Sequence, residues 1–149
     1  MKTNPLVRFT KHLIDFMLLS GVVICLSVPM LFRQAAKYFS IFQKYYVPYC
    51  IVFMAAGVFA LIILWNLRNM FQTVINENPF VTENVISLKR MGSCAFMIAI
   101  LLLVKLVLVL TPAAAVLVLV FIIAGLFSLV LSQVFEQAVS YKQENDLTI

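Results

Sequence analysis

Asp15 and Lys105 are the charged side chains that fall inside the long apolar stretches of this chain. A carboxylate or ammonium within hydrocarbon is costly, and such groups serve proton relays, ion paths or buried pairs. Asp15 lies about one turn inside the start of its stretch, and Lys105 about one turn from the far end of its own. The two stretches run in the same direction, so the charges differ in depth by roughly 15 Å at the rise of an α-helix. A direct pair is therefore not expected. Lys105 is expected to snorkel toward the outer headgroups, and Asp15 to sit at the inner interface beside His12. His12 is the single histidine and has no neighbours at ligand spacing, so no metal site is expected. The cysteines Cys25, Cys50 and Cys94 are not in C-x-x-C spacing, and Cys50 and Cys94 belong to opposite ends of the spans. They read as inert buried thiols. The chain holds 4 glycines, none in a phosphate-binding loop, and no Ser/His/Asp or Cys/His arrangement. No catalytic residue, cofactor or enzymatic activity is expected.

The elements that must hold these residues follow from composition. Of 149 residues, 64% are hydrophobic and 11% charged, with a mean hydropathy of +1.06. Soluble domains are nearer one-quarter charged, and one soluble core of this size does not bury that much apolar surface. The expected solvent is a lipid bilayer and the expected fold is an all-α membrane protein, a single integral membrane domain over residues 1–149. Four transmembrane spans are read at about 12–32, 47–67, 92–110 and 113–135, each long enough for a hydrocarbon core about 30 Å thick. The first is too long for a signal-peptide core and lacks an A-x-A-like cleavage site, so it is expected to be retained.

Orientation follows from Lys and Arg outside the spans. Lys2, Arg8, Lys11, Arg68, Lys89, Arg90 and Lys142 fall on one side, against Arg33, Lys37 and Lys44 on the other. The positive-inside rule then places both termini in the cytoplasm, and this explains most of the net charge of +5 without nucleic acid. Residues 34–46 are expected to form an outer interfacial helix, with Tyr38, Ile41, Phe42 and Tyr45 on its apolar face.

Extensions at about 68–91 and 136–149 are expected to project into the cytoplasm. Leu67, Met70, Phe71, Val74 and Ile75 recur at helical spacing, with Asn66, Arg68, Asn69, Gln72 and Thr73 between them. Asn78-Pro79 breaks this helix. Asn78 or Thr82 is expected to cap the next one, with Pro79 at its first position and Val81, Val85 and Leu88 inward. The last helix is expected to continue with Val134, Ala138 and Tyr141 on one face. Helices 2, 3 and 4 would then join as a small cytoplasmic bundle. The third and fourth spans form a hairpin about Thr111-Pro112, which sets Ala95 against Ser128 and Ala99 against Ala124, with Ser132 in the same small-residue series. Glu136 comes near Lys89 and Arg90.

The segment NPFVTENVISLKRMG at 78–92 and the closing SQVFEQAVSYKQENDLTI at 132–149 resemble a bacterial family of small four-helix membrane proteins of unknown function. That family carries an NPF-like segment before its third helix and an ENDLTI-like ending. Its genes commonly neighbour one for a small helix-turn-helix regulator of the Cro/CI type. The resemblance implies a protein of the bacterial cell membrane paired with a DNA-binding partner.

Asn78, Pro79, Phe80, Glu144, Asn145, Asp146, Leu147, Thr148 and Ile149 are therefore the expected partner-binding residues. Glu144, Asp146 and the chain carboxylate offer negative charge to the basic face of a DNA-binding domain. Leu147 and Ile149 alternate with Thr148 as a short strand or groove anchor would. Two roles for the tail stay open, docking the regulator or capping its own bundle near Phe80. On the docking reading the chain sequesters a regulator at the membrane without touching nucleic acid. The alternatives are a small transporter turning on Asp15, which Asp15→Asn would disable, and an accessory subunit of a membrane complex. A homo-oligomer is compatible with each.

Overall fold

The computed structural model describes residues 4–147. Those residues form five helices and no strand: α1 (Pro5–Ala35), α2 (Ser40–Lys44), α3 (Tyr46–Ile75), α4 (Thr82–Leu108) and α5 (Pro112–Leu147). All but α2 are long and apolar enough to cross a membrane. The architecture is that of an all-α, multi-pass membrane protein.

Local chemistry sets the helix ends. Asn4 caps α1, its side-chain oxygen accepting from the Leu6 amide at 3.0 Å, and Pro5 takes the first position, where a missing N–H costs nothing. Pro112 opens α5 in the same way. α3 ends in a Schellman arrangement. The Asn78 amide donates to the Thr73 carbonyl at 2.9 Å, and the Glu77 amide to that of Val74 at 3.1 Å. This puts Glu77 in the left-handed region, at φ 60°.

The caps expected for α4 are not there. α4 begins at Thr82 behind an extended Val81, with no side-chain cap. Asn78 and Pro79 lie in the loop, because the Schellman turn has already used the Asn78 backbone. Glu83 does sit in the first turn of α4, where the helix dipole favours it.

The outer interfacial helix is also shorter than 34–46. α1 carries Arg33 and Gln34 as its own last turn, residues 36–38 turn, and α2 is only 5 residues long. Tyr38 and Ile41 are exposed, but Phe42 turns inward, its ring 5.4 Å from Phe32 of α1 and 5.7 Å from Tyr49 of α3. Packing among Phe32, Tyr49 and Phe53 outweighs a straight amphipathic run.

The four long helices lie in a row. α1 packs on α3, α3 on α4 and α4 on α5, while no backbone approach joins α1 to α4 or α5, or α3 to α5, among the described residues. α4 is sandwiched and the most buried. Ile98 and Leu102 meet Val118 of α5, with Ala56, Phe59, Ala60 and Ile63 of α3 packed beside them. These contacts follow the order of the chain.

The α4–α5 hairpin is present, with a shifted register. Its turn occupies 109–111, so its centre is earlier than Thr111-Pro112. Ser128 consequently donates to the Leu88 carbonyl at 2.7 Å, about two turns from Ala95. Ala95, Ala99, Ser128 and Ser132 are buried as expected, but Ala124 faces outward and Gly125 takes its place. At Gly92 an added Cβ would stand 3.1 Å from the Gly125 carbonyl oxygen and 3.0 Å from the Leu129 side chain. Small residues here set the helix separation.

Candidate functional site

One end of the row carries a dense set of polar contacts. It gathers the start of α1, the end of α3, the 76–81 loop, the start of α4 and the end of α5. The other end is aromatic. There Lys105 donates to the Thr111 hydroxyl at 2.8 Å and stands 5.9 Å from the Tyr49 ring centroid. Lys105 does reach toward the nearer helix end, but a protein hydroxyl and a ring hold it there.

Asp15 does not stand alone. Arg68 Nε donates to its carboxylate at 2.6 Å, joining α1 to α3, with both side chains about one-third exposed. The Arg68 guanidinium also lies over the Trp65 ring at 5.4 Å. Reading Arg68 only as a topology charge concealed this pair. The signal was available, since antiparallel spans put Asp15 and Arg68 near the same end. His12 is exposed. Among the described residues no cluster of three or more His, Cys, Asp or Glu converges. The three thiols are unpaired, Cys25 and Cys94 buried and Cys50 half-buried.

The polar side of α3 faces protein, not water, at two positions. Asn66 is 2% exposed; it donates to the Ile62 carbonyl at 2.7 Å and accepts from Arg90 of α4 at 3.4 Å. Thr73 Oγ1 accepts from Asn84 at 2.7 Å and donates to the Met70 carbonyl at 2.6 Å. Asn84, also 2% exposed, donates its second hydrogen to the Pro79 carbonyl at 2.6 Å. One amide thus ties α3, the loop and α4 together. Asn84 falls within the stripe of Val81, Val85 and Leu88, and an asparagine on an apolar stripe was the sign that its amide has buried partners.

The expected partner-binding residues are brought together in part. Asn78 accepts a hydrogen bond from Lys142 of α5. Pro79 is held through its carbonyl by Asn84. Phe80 packs edge-on against Phe135 at 5.4 Å and remains 43% exposed. Between loop and tail opens a cleft of about 270 Å³, with Phe80, Val81 and Glu83 on one wall and Val139, Lys142 and Asp146 on the other.

Glu144, Asn145, Asp146 and Leu147 are exposed residues at the end of α5, so Leu147 is helical and not part of a strand. Thr148 and Ile149 lie outside the described residues. The inward face of this extension is Ser132, Phe135 and Val139. Val134 and Tyr141 point outward, because the Gly92–Gly125 contact fixes the rotation of α5 upstream. Lys89 lies 4.0 Å from Glu136 across α4 and α5, an exposed pair of small energetic weight. Arg90, expected near Glu136, instead reaches Asn66.

The family described as "Protein of unknown function (DUF2975)" matches residues 30–149. No curated protein and no solved structure matches the chain.

Proposed function

The chain belongs to this family of proteins of unknown function, and from that premise we propose that it is a membrane-embedded binding protein. On this reading it docks a small helix-turn-helix regulator against the cleft between the 76–81 loop and the end of α5. The observation that carries the proposal is the meeting of the 78–80 segment with the end of α5, through the hydrogen bond from Lys142 to Asn78 and an open cleft that Phe80 lines. Glu83 and Asp146 outnumber Lys142 along its edge and leave it net negative, and Phe80 and Val139 supply an apolar floor. A basic DNA-binding domain with one apolar side chain on its surface complements such a cleft in charge and in shape.

The orientation read from Lys and Arg puts this end in the cytoplasm, and the length of α5 carries it clear of the hydrocarbon. At 1.5 Å per residue the 36 residues of α5 run about 54 Å, well beyond a hydrocarbon core of about 30 Å. The surplus length leaves the cleft in water, where a soluble partner reaches it. A proton-coupled carrier is a weaker reading. It needs a carboxylate free to exchange protons, and Asp15 is engaged by Arg68.

The test is gentle detergent purification of tagged protein from its own host, full-length and lacking residues 144–149, with mass spectrometry of what accompanies it. A small helix-turn-helix protein is expected with the full-length chain and not with an equally helical truncation. Equal recovery with both forms removes the tail from the docking site, and no regulator with either removes the proposal.

A further inference from the structure

The open row leaves a second feature, on one face between α1 and α4. There the side chains of α3 are not covered by any helix. A furrow of about 440 Å³ runs along Leu18 and Val22 of α1 and Val58 and Ile62 of α3, and ends at Trp65 and Arg90. It continues past Trp65 into a shallower recess closed by Asp15 and Arg68. The apolar length and the cationic end are thus parts of one surface. Trp65 is half-exposed at the junction, the position of an indole at a membrane–water interface. The Asp15 carboxylate is taken by Arg68, whereas Arg90 has an amide oxygen at 3.4 Å and, among the described residues, no carboxylate within ion-pair distance.

We propose that this furrow binds one anionic phospholipid of the surrounding bilayer, its acyl chain along Leu18, Val22, Val58 and Ile62 and its phosphate at Arg90. Charge complementarity selects the occupant. A guanidinium beside an apolar groove matches a phosphodiester with an attached chain, and its planar fork suits two phosphate oxygens. Arg68, turned over the Trp65 ring, adds positive potential beside the headgroup. A second copy of the chain would have to bring a carboxylate to Arg90 as well as an apolar ridge. A phospholipid brings both in one molecule and is always present. The Arg90–Asn66 contact, long for a hydrogen bond, leaves the guanidinium free to turn toward a phosphate.

Trp65 is the chain's 1 tryptophan, so its fluorescence reports on this furrow alone. The full chain is reconstituted in vesicles of phosphatidylcholine containing a minor fraction of brominated lipid, either phosphatidylglycerol or phosphatidylcholine. Brominated phosphatidylglycerol is expected to quench as if enriched about fivefold over phosphatidylcholine, the factor that one near-surface cation contributes. In Arg90→Gln the ratio is expected to fall to about twofold or less, while quenching by brominated phosphatidylcholine persists.

Should Arg90→Gln lose helicity, Val58→Phe decides the matter. It fills the furrow at a lipid-exposed position and is expected to reduce the preference with Arg90 intact. Equal quenching by the two headgroups in the unaltered chain overturns the proposal, as does a preference that survives in folded Arg90→Gln or in Val58→Phe. Weak quenching by both lipids overturns it in favour of a second copy covering the furrow.

Discussion

Asn84 is the residue on which most of the candidate site depends. Its two amide hydrogens go to Thr73 and the Pro79 carbonyl, and both bonds are partly shielded from water. Asn84→Ala leaves a half-buried carbonyl and hydroxyl without their donor. Each such group costs about 1–3 kcal/mol, and the Thr73 hydroxyl can recover part of its loss by rotating. The expected loss is about 2–3 kcal/mol in reversible unfolding by SDS. Asn84→Leu of similar bulk should be no milder, because the penalty lies in the stranded partners and not in the lost volume. A variant within about 0.5 kcal/mol of the unaltered chain would mean that the loop is held by Phe80 and Lys142 instead. Regulator capture should fall in parallel, since the Asn78-Pro79-Phe80 segment would lose its anchor.

At the scale of elements, α4 and α5 pack closely, and Gly92 lies against the Gly125 carbonyl. Gly92→Ala pushes a methyl against the Gly125 carbonyl, a backbone atom that cannot rotate away. Overpacking of this kind costs about 1–3 kcal/mol, offset in part by the better helix propensity of alanine. The net expectation is destabilisation of about 1–2 kcal/mol in the same SDS titration, with a loosened cleft at the far end of α5. Alanine at Gly21, whose nearest neighbour is the flexible end of Leu61, should be nearly neutral and is the control.

The elements themselves were legible in the sequence, because hydrophobic runs of about 20 residues have few other solutions. Their rotation was less so. Val134 and Tyr141 carry an apolar signal, yet face outward, where lipid or exposed surface accepts them as readily as a core does. In a chain this greasy, hydrophobicity no longer separates inside from outside, and the buried polar residues Asn66, Asn84 and Ser132 mark the inner faces better than any leucine. The outer helix was over-read for a related reason. A five-residue helix between turns carries the same aromatic pattern as a continuous one.

In the whole molecule, α1 is the peripheral member. Among the described residues its backbone approaches only α3 and the short α2, and nearly all of it precedes the family match at residues 30–149. Its anchors include the Asp15–Arg68 pair, the Tyr46 hydroxyl donating to the Pro29 carbonyl, the close approach of Gly57 to Cys25, and the Phe32 ring against Phe42 and Phe53. Spin labels placed across α1 and α3 should therefore separate at a lower SDS fraction than labels across α4 and α5. The opposite order would mean that the α1–α3 anchors outweigh the glycine-lined hairpin. Asp15→Asn should widen the gap between the two transitions, because it removes an ion pair that ties α1 to α3.

The row has a consequence for synthesis. Every long helix rests on the one made just before it, so spatial order and the order of emergence from the ribosome coincide. α3 meets α1 already inserted, and α4 and α5 each arrive to a finished surface. No segment has to wait in the translocon for a distant partner, and no early pairing must be undone to admit a later helix. The α4–α5 hairpin, with its glycine contact and its loop-binding end, completes the row, so the cleft comes into being only when the end of α5 has left the ribosome.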